Sequence, residues 1–555
     1  MLKDSLLFFK DKRLFILAVL SSLVSLLELI SVASIFPYLE IITNQSPDKY
    51  QLIFESYFEG FVEFNTKNIS YTILVIILIS ILSKGLFQML ELNYVNNKRV
   101  NLSRRIFNRL VERGYNAKQD YTNSHLTTLL ITEVDIVIQH VLTPIINSFG
   151  QVILTIFLLV YLFILDPLIL TISVSIFGFY YLIVGVVIRK GLKGNSTRRT
   201  SANTKRIRNV EDIINSLALL QLYNAWNYVG SQYIKNYKDY SNTTKINQLS
   251  IKIPQTILEG ILLSSIVLVV ILLDNTNDFQ QLIPKLTVFA FAALKLKPSL
   301  NGIYGLFISI SYGNSALNQI RQFLHLSNST PEKTSGTIEI LPLENQLSID
   351  IQGVSFSYKD NNEIFKDLSF SFKPKGITTI TGESGKGKST LLYLIAGLLN
   401  FQEGKISITS SKKKEENLFS MVNQQGFLIE GNLLQNIYLK EKISFEEELK
   451  VVKLLKKLGL DDLYHLLKEP LQGLSGGQNQ RVNILRAIVH EPEYILMDEP
   501  SSSLDEENRE KLILLLKEIS NTIPIIIVTH DPNVMGISEN HIVFQSNSLS
   551  FVNHG

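Results

Sequence analysis

Gly376-Ile377-Thr378-Thr379-Ile380-Thr381 runs without a break into Gly382-Glu383-Ser384-Gly385-Lys386-Gly387-Lys388-Ser389-Thr390. The first run reads as a buried strand and Leu391–Leu399, just beyond, as a helix, so the glycines fall at a strand-to-helix turn. Glycines there let successive backbone N–H groups curl around phosphate, and the helix N-terminus favours the negative charge. Lys388 is placed to reach β- and γ-phosphates and the Ser389 hydroxyl to ligate Mg²⁺. Downstream, Tyr494-Ile495-Leu496-Met497-Asp498-Glu499 is an apolar strand ending in two carboxylates. Beside a P-loop, Asp498 suits the Mg²⁺ shell and Glu499 suits the orientation or deprotonation of an attacking water.

Outward from this region the composition changes. The chain has 555 residues, too many for one ordinary domain, and 46% of them are apolar. The apolar excess lies before about residue 310. A net charge of +3 says little about partners as a total, and no nucleic-acid partner is expected. With no cysteine, the chain has no disulfide framework, thiol chemistry or thiolate metal site.

Six stretches approach the length of a membrane span: 14–42, 69–92, 142–165, 167–189, 253–273 and 284–311. In lipid the backbone must satisfy its own hydrogen bonds, so each is expected to be a helix. The first is roughly twice the apolar core of a secretory signal and has no cleavage pattern after it, so it reads as a retained span. Asp166 and Pro167 alone join the third and fourth. Basic residues crowd the segments after spans two (Lys98, Arg99, Arg104, Arg105, Arg109, Arg113, Lys118) and four (Arg189, Lys190, Lys193, Arg198, Arg199, Lys205, Arg206, Arg208). These segments and both termini are therefore expected on the cytoplasmic side. Each segment reads as a helical hairpin whose tip lies at a polar break, Asp120–Thr128 in one and Leu219–Trp226 in the other. Trp226 is either an aromatic anchor on a docking surface or simple interhelical packing. The outer loop Tyr50–Phe61 is amphipathic and reads as an interfacial helix or as an ordered loop packed on its own spans.

Leu474-Ser475-Gly476-Gly477-Gln478, continued by Asn479-Gln480-Arg481, resembles the signature of ATP-binding cassette proteins. The resemblance implies an α-helical six-span membrane domain (1–325), a linker (326–346) and an α/β P-loop cassette (347–555), in a domain-swapped dimeric exporter architecture. It implies that Tyr358 stacks on adenine while Gly382–Thr390 hold the ATP phosphates. Ser389, Gln424 and Asp498 would hold Mg²⁺, and Glu499, His530 and Gln424 would serve catalysis. Ser502–Asp505 resembles the segment that communicates across the dimer, and Glu469 matches a glutamate that meets coupling helices. In such proteins two cassettes pack head to tail, so Leu474–Gln478 would serve ATP held by a second copy, a homodimer being the simplest unit. Lys386 and Asn423 depart from the usual pattern without removing a catalytic group, and Lys412–Lys414 with Glu415 and Glu416 reads as a solvated turn.

The membrane half is similar to bacterial lipid-linked oligosaccharide flippases of the cytoplasmic membrane. The matching residues are Glu28, Pro37, Lys84, Pro254, Leu258, Glu259, Gly260, Lys295, Pro298, Ser299 and Asn301. Lys84, Lys295 and Lys297 lie within apolar stretches, where a charge faces a water-filled cavity or an acidic partner. A basic cavity would suit an anionic, lipid-linked amphipathic substrate, with membrane lipid beside it; pairing with Glu28 or Glu259 is the alternative. Gln255 and Gly302 stand where those flippases tend to be basic, which puts that substrate in question. Export of peptides or hydrophobic small molecules, and a non-transporting ATP-gated channel or sensor, are the competing functions.

Overall fold

The computed structural model describes residues 8–9, 11–35, 38, 66–165, 194–273, 279–325 and 336–551, apart from 344–345, 359–362, 373, 375, 412–416, 472 and 546–547, with single positions between 167 and 192. Tyr50–Phe61, Asp166, most of the fourth expected span, Pro37 and Lys412–Glu416 lie outside the described residues. By Cα proximity the chain divides into two units, Met1–Glu112 with Tyr121–Asn328 and Arg113–Asp120 with Ser329–Gly555.

The first unit is helical. Its long elements are α1 (Lys12–Ala33), α2 (Thr66–Arg113), α3 (Thr143–Leu165), α4 (Asn195–Asn215), α5 (Trp226–Leu273) and α6 (Phe279–His325). Asp11 begins α1 by accepting the Arg13 N–H. At 48 residues α2 is roughly 72 Å long, far more than a bilayer needs. Among the described residues, three helices are long and apolar enough to cross a membrane: Lys12–Ala33, Lys67–Asp120 and Asn123–Ile164. The fifth and sixth expected spans lie on α5 and α6.

Small residues bring these helices together, as packing without a hydrophobic driving force requires. Ser25 donates to the Gly150 carbonyl at 2.9 Å, and a Cβ at Gly150 would sit 2.7 Å from Ser25 Oγ. Thr155 and Ser299 share a hydrogen bond of 2.6 Å between α3 and α6.

The first expected break falls at the start of its range: Gly114–Asn116 is a 3-10 turn and Ala117–Asp120 a helical turn, and Tyr121 and Thr122 are the non-helical positions before Asn123. Thr122 caps Asn123–Thr128, whose Thr127 and Thr128 hydroxyls bond back to carbonyls within that helix. The second break falls within the expected range: Leu217–Leu222 is a short helix, and α5 starts at Trp226.

The second unit carries two sheets. Strands β1 (Thr337–Pro342), β2 (Ile349–Ser357), β3 (Glu363–Phe372) and β5 (Glu403–Ser410) form one, in the order β1-β5-β2-β3. The other contains β4 (Ile377–Gly382), β6 (Phe419–Val422), β7 (Tyr494–Asp498), β8 (Ile525–Val528), β9 (Asn540–Gln545) and β10 (Ser548–Phe551), in the order β10-β9-β4-β8-β7-β6. Its five strands from β9 to β6 are parallel. Every residue of β7 and β8 is buried, as parallel strands covered on both faces demand. Its α-helices of six residues or more, among the described residues, are α7 (Lys388–Ile395), α8 (Leu433–Tyr438), α9 (Phe445–Lys457), α10 (Gly476–Val489) and α11 (Glu506–Ser520). The helix expected over Leu391–Leu399 therefore begins three residues earlier and ends before Gly397, whose φ is +70. Within this unit Tyr115 packs its ring 5.1 Å from that of Tyr393 on α7, and Asn116 accepts the Asn400 N–H at 3.0 Å.

In the first unit the Glu133 and Arg199 side chains are wholly buried and bond at 2.6 Å, with the guanidinium 5.3 Å from the Tyr312 ring centre. Removing one partner of such a pair strands the other charge at roughly 3–5 kcal/mol, whereas replacing both with apolar groups is often neutral. Glu133→Met should therefore melt well below the wild type in detergent, and Glu133→Met with Arg199→Met should recover most of the loss. Equal melting of the single variant and the wild type would refute that dependence.

Candidate active site

The phosphate loop hangs between the last residue of β4 and the first of α7. Ile377–Ile380 are buried, so β4 is fixed from both sides while Gly382 emerges at its end. Gly382 has φ +145, and a Cβ there would lie 2.3 Å from the Phe544 carbonyl oxygen of neighbouring β9. Gly387 has φ +100, and its Cβ would meet Ile364 at 2.5 Å. Only glycine meets both conditions. Lys388 Nζ donates to the carbonyls of Gly382 at 2.6 Å and Glu383 at 2.9 Å, so the ammonium lies inside the loop. Burial lowers its pKa, while Glu499 and Asp498 act in the opposite direction. Lys386 lies 3.5 Å from the Glu383 carboxylate. Tyr358, on the chain leaving β2, shares a hydrogen bond of 3.2 Å with Thr390 and stands edge-on to Phe356.

β8 lies between β4 and β7, which puts Asp498 and Glu499 two strands from the loop at the same end of the sheet. Asp498 is buried. Glu499 adopts φ +51, a conformation that costs a non-glycine residue about 1–3 kcal/mol. Its N–H is held by the Val528 carbonyl at 2.9 Å. Burial raises the Glu499 pKa above the usual carboxylate range, opposed by His530, whose Nε2 stands 4.0 Å from Glu499 Oε1. β6 pairs with β7 through Val422 and Met497, so Asn423 and Gln424 emerge beside Asp498. Gln424 is exposed, and Asn423 Oδ1 is buried without a hydrogen-bond partner among the described residues. Ser389, Gln424 and Asp498 all carry side-chain oxygens, the ligand type that Mg²⁺ requires.

Ser475 caps α10 in a reciprocal box: it accepts the Gln478 N–H at 3.2 Å, and Gln478 Oε1 accepts the Ser475 N–H at 2.9 Å. The Gln478 amide also donates to Asp462. The next three residues, quoted with the signature but given no role by sequence, each reach a different neighbour. Asn479 donates to the Gly426 carbonyl, Gln480 to that of Glu499, and Arg481 to those of Leu458 and Gly459 and to Asn508. The only sequence signal for this hub was that polar residues continue the signature into a helix whose later positions are apolar. Ser501 and Arg509 both hold Asp531, after His530, while Leu474 and Glu469 lie on the loop leading to α10.

In the first unit Lys84 Nζ lies 2.5 Å from Glu28 Oε1; Glu28 is buried while the Lys84 side chain is 52% exposed. Lys297 pairs with Glu259 at 2.7 Å. The Lys295 side chain lies outside the described residues.

A family model described as "ABC transporter transmembrane region" matches residues 13–324, and one described as "ABC transporter" matches residues 365–502. The ergothioneine transport ATP-binding protein EgtV of Helicobacter pylori is 38% identical over 198 residues, covering 33% of this chain and 90% of that protein. The ABC transporter ATP-binding protein YtrE of Bacillus subtilis is 35% identical over 221 residues, covering 36% of this chain and 94% of that protein. A solved bacterial Atm1-family ABC exporter with ATP bound superposes with TM-score 0.76 over 97% of this chain and 94% of that one, at 16% identity, a likeness of fold.

Gly382→Ala should lower affinity for a fluorescent ATP analogue by on the order of ten-fold or more, since the added carbon collides with main chain rather than with a movable side chain. Unchanged affinity would mean that this turn does not shape the nucleotide site.

Proposed function

We infer, because the chain belongs to the ABC transporter transmembrane-region family and carries an ATP-binding cassette in the same polypeptide, that two copies form an ATP-driven exporter flipping an anionic amphiphile across the membrane. The observation that supports the machine is the convergence of Lys388, Asp498, Glu499 and His530 at one end of one sheet.

In this reading the loop from Gly382 to Thr390 holds the ATP phosphates, and the Lys388 ammonium leaves its carbonyl partners for β- and γ-phosphate oxygens. Mg²⁺, held by Ser389, Asp498 and Gln424, would supply countercharge to those oxygens. Glu499, whose raised pKa makes it a stronger base than an ordinary carboxylate, orients a water and takes its proton as the water oxygen bonds to the γ-phosphorus. The bond from that phosphorus to the β,γ-bridging oxygen breaks, leaving ADP and phosphate, while His530 contacts the γ-phosphate. Tyr358 stacks on adenine.

Each ATP is closed by Leu474–Gln478 of the second copy. The exposed apolar side chains of Leu217, Leu219, Leu222, Tyr223 and Trp226 support a docking role for that hairpin tip. Its partner surface on the second copy would be beside Glu469 and the exposed Phe427 and Ile429. The half-exposed Lys84 side chain, paired with a buried Glu28, supports the cargo reading, in which the ammonium would exchange to an anionic head group. The same pair, with Lys297–Glu259, favours an uncharged hydrophobic cargo if neither salt bridge opens.

Proteoliposome ATPase assays separate these cargoes. A polyprenyl-pyrophosphate-linked sugar should stimulate turnover and a hydrophobic peptide should not. Lys84→Gln with Lys295→Gln should remove the stimulation and keep basal turnover; stimulation by the peptide alone would overturn the flippase reading. Mixed assemblies of a Lys388→Ala chain and a Ser475→Ala chain should retain one intact composite site and measurable turnover. Complete inactivity of the mixture, at levels where wild-type dimers turn over, would exclude the head-to-tail assembly.

A further inference from the structure

Gln480 stands two residues beyond the signature on α10, and only 3% of its surface is exposed. Its side-chain amide makes two bonds of opposite kind: Nε2 donates to the Glu499 carbonyl at 2.9 Å, and Oε1 accepts the Ser503 N–H at 3.2 Å. The orientation of the amide follows from the partners, since a carbonyl needs a donor and an N–H an acceptor. Ser502 adds its N–H and hydroxyl to the same Glu499 carbonyl, at 3.3 and 3.0 Å. On the other side, the Glu499 N–H is bound by Val528 of β8. The Glu499 main chain is thus gripped at both of its polar atoms while in a left-handed conformation that persists only where the surroundings over-determine it. Of the three residues after the signature, Asn479 and Arg481 bond elsewhere, so of these three it is Gln480 that joins α10 by hydrogen bonds to the loop from Glu499 to Ser503. The approach is close: a Cβ on Gly477, one turn earlier in α10, would lie 3.1 Å from the Ser503 carbonyl.

We propose that Gln480 is a positioning residue for ATP hydrolysis. It holds the Glu499 peptide so that the carboxylate faces the water attacking ATP on its own cassette. Because Ser475 caps α10, Gln480 also ties that orientation to the signature that serves the ATP of the second copy. The inference rests on the reading of Glu499 as the base, and it adds a rigid link by which closure at one composite site is felt at the catalytic carboxylate of the other.

The test uses the full-length protein in proteoliposomes. Gln480→Met keeps volume and removes both bonds; it should lower kcat by on the order of ten-fold or more while leaving KM for ATP and the melting temperature near wild type. Gln480→Glu keeps the acceptor for Ser503 but not the donor to Glu499, and should lose turnover similarly. In a Glu499→Gln background, ATP trapped in the closed dimer should be the same with and without Gln480→Met, because closure does not require the aimed carboxylate. Turnover within about two-fold of wild type in Gln480→Met would overturn the proposal, as would a matching fall in trapping or in melting temperature. If Gln480→Met does not fold, Gln480→Glu is judged by the same criteria. A Glu499→Gln protein with near wild-type turnover would remove the base reading itself, whereas an inactive one beside an active Gln480→Met removes the positioning role alone.

Discussion

The phosphate loop can lie where it does only because its backbone is bare at two points, and two different sheets enforce this. The Phe544 carbonyl of β9 occupies the space of a Cβ on Gly382, while Ile364 and Phe365 of β3 crowd Gly387. Gly382 and Phe544 are partners in the parallel register of the larger sheet, whereas β3 belongs to the smaller one. The nucleotide site is therefore bound to the packing of both sheets, and the core between them, with Ile351, Phe356, Phe365, Leu392 and Phe544 buried, also fixes the loop.

From that constraint the catalytic spacing follows. Adjacent strands lie about 4.8 Å apart, so one intervening strand separates loop and acids by roughly 10 Å. On the proposed reading, this spacing would let Lys388 act from one side on a phosphate chain and Glu499 from the other. Burial that positions Glu499 also makes it more basic, so one packing decision sets both geometry and proton affinity. The signature helix then anchors three neighbouring segments at once, through Asn479, Gln480 and Arg481.

The helical unit follows different rules. With little hydrophobic force between helices in lipid, close contact rests on glycine, serine and threonine at Ser25–Gly150 and Thr155–Ser299. Charge is neutralised in pairs. Glu133–Arg199 is wholly buried and locks its helices, while Glu28–Lys84 leaves its cation half exposed. The two pairs thus differ in how far the surrounding helices enclose the cation.

By itself the sequence determined what depends on contiguous residues: the glycine turn before Lys388, the acidic end of Tyr494–Glu499, the signature at Leu474–Gln478 and the long apolar runs. Such signals survive in one dimension because a strand, a turn or a span is built from neighbours along the chain. The polar run Asp120–Thr128 marked the break at Tyr121–Thr122, but not that Asn123–Thr128 is itself a capped helix, because a polar run marks a cap as well as it marks a loop. Only the tertiary structure decided the rest: that Lys84 meets Glu28, that Arg199 meets Glu133 across 66 positions, and that Gln480 grips the peptide of Glu499. These pairings depend on which faces of separate helices and strands are pressed together, and nothing local to either residue encodes its partner.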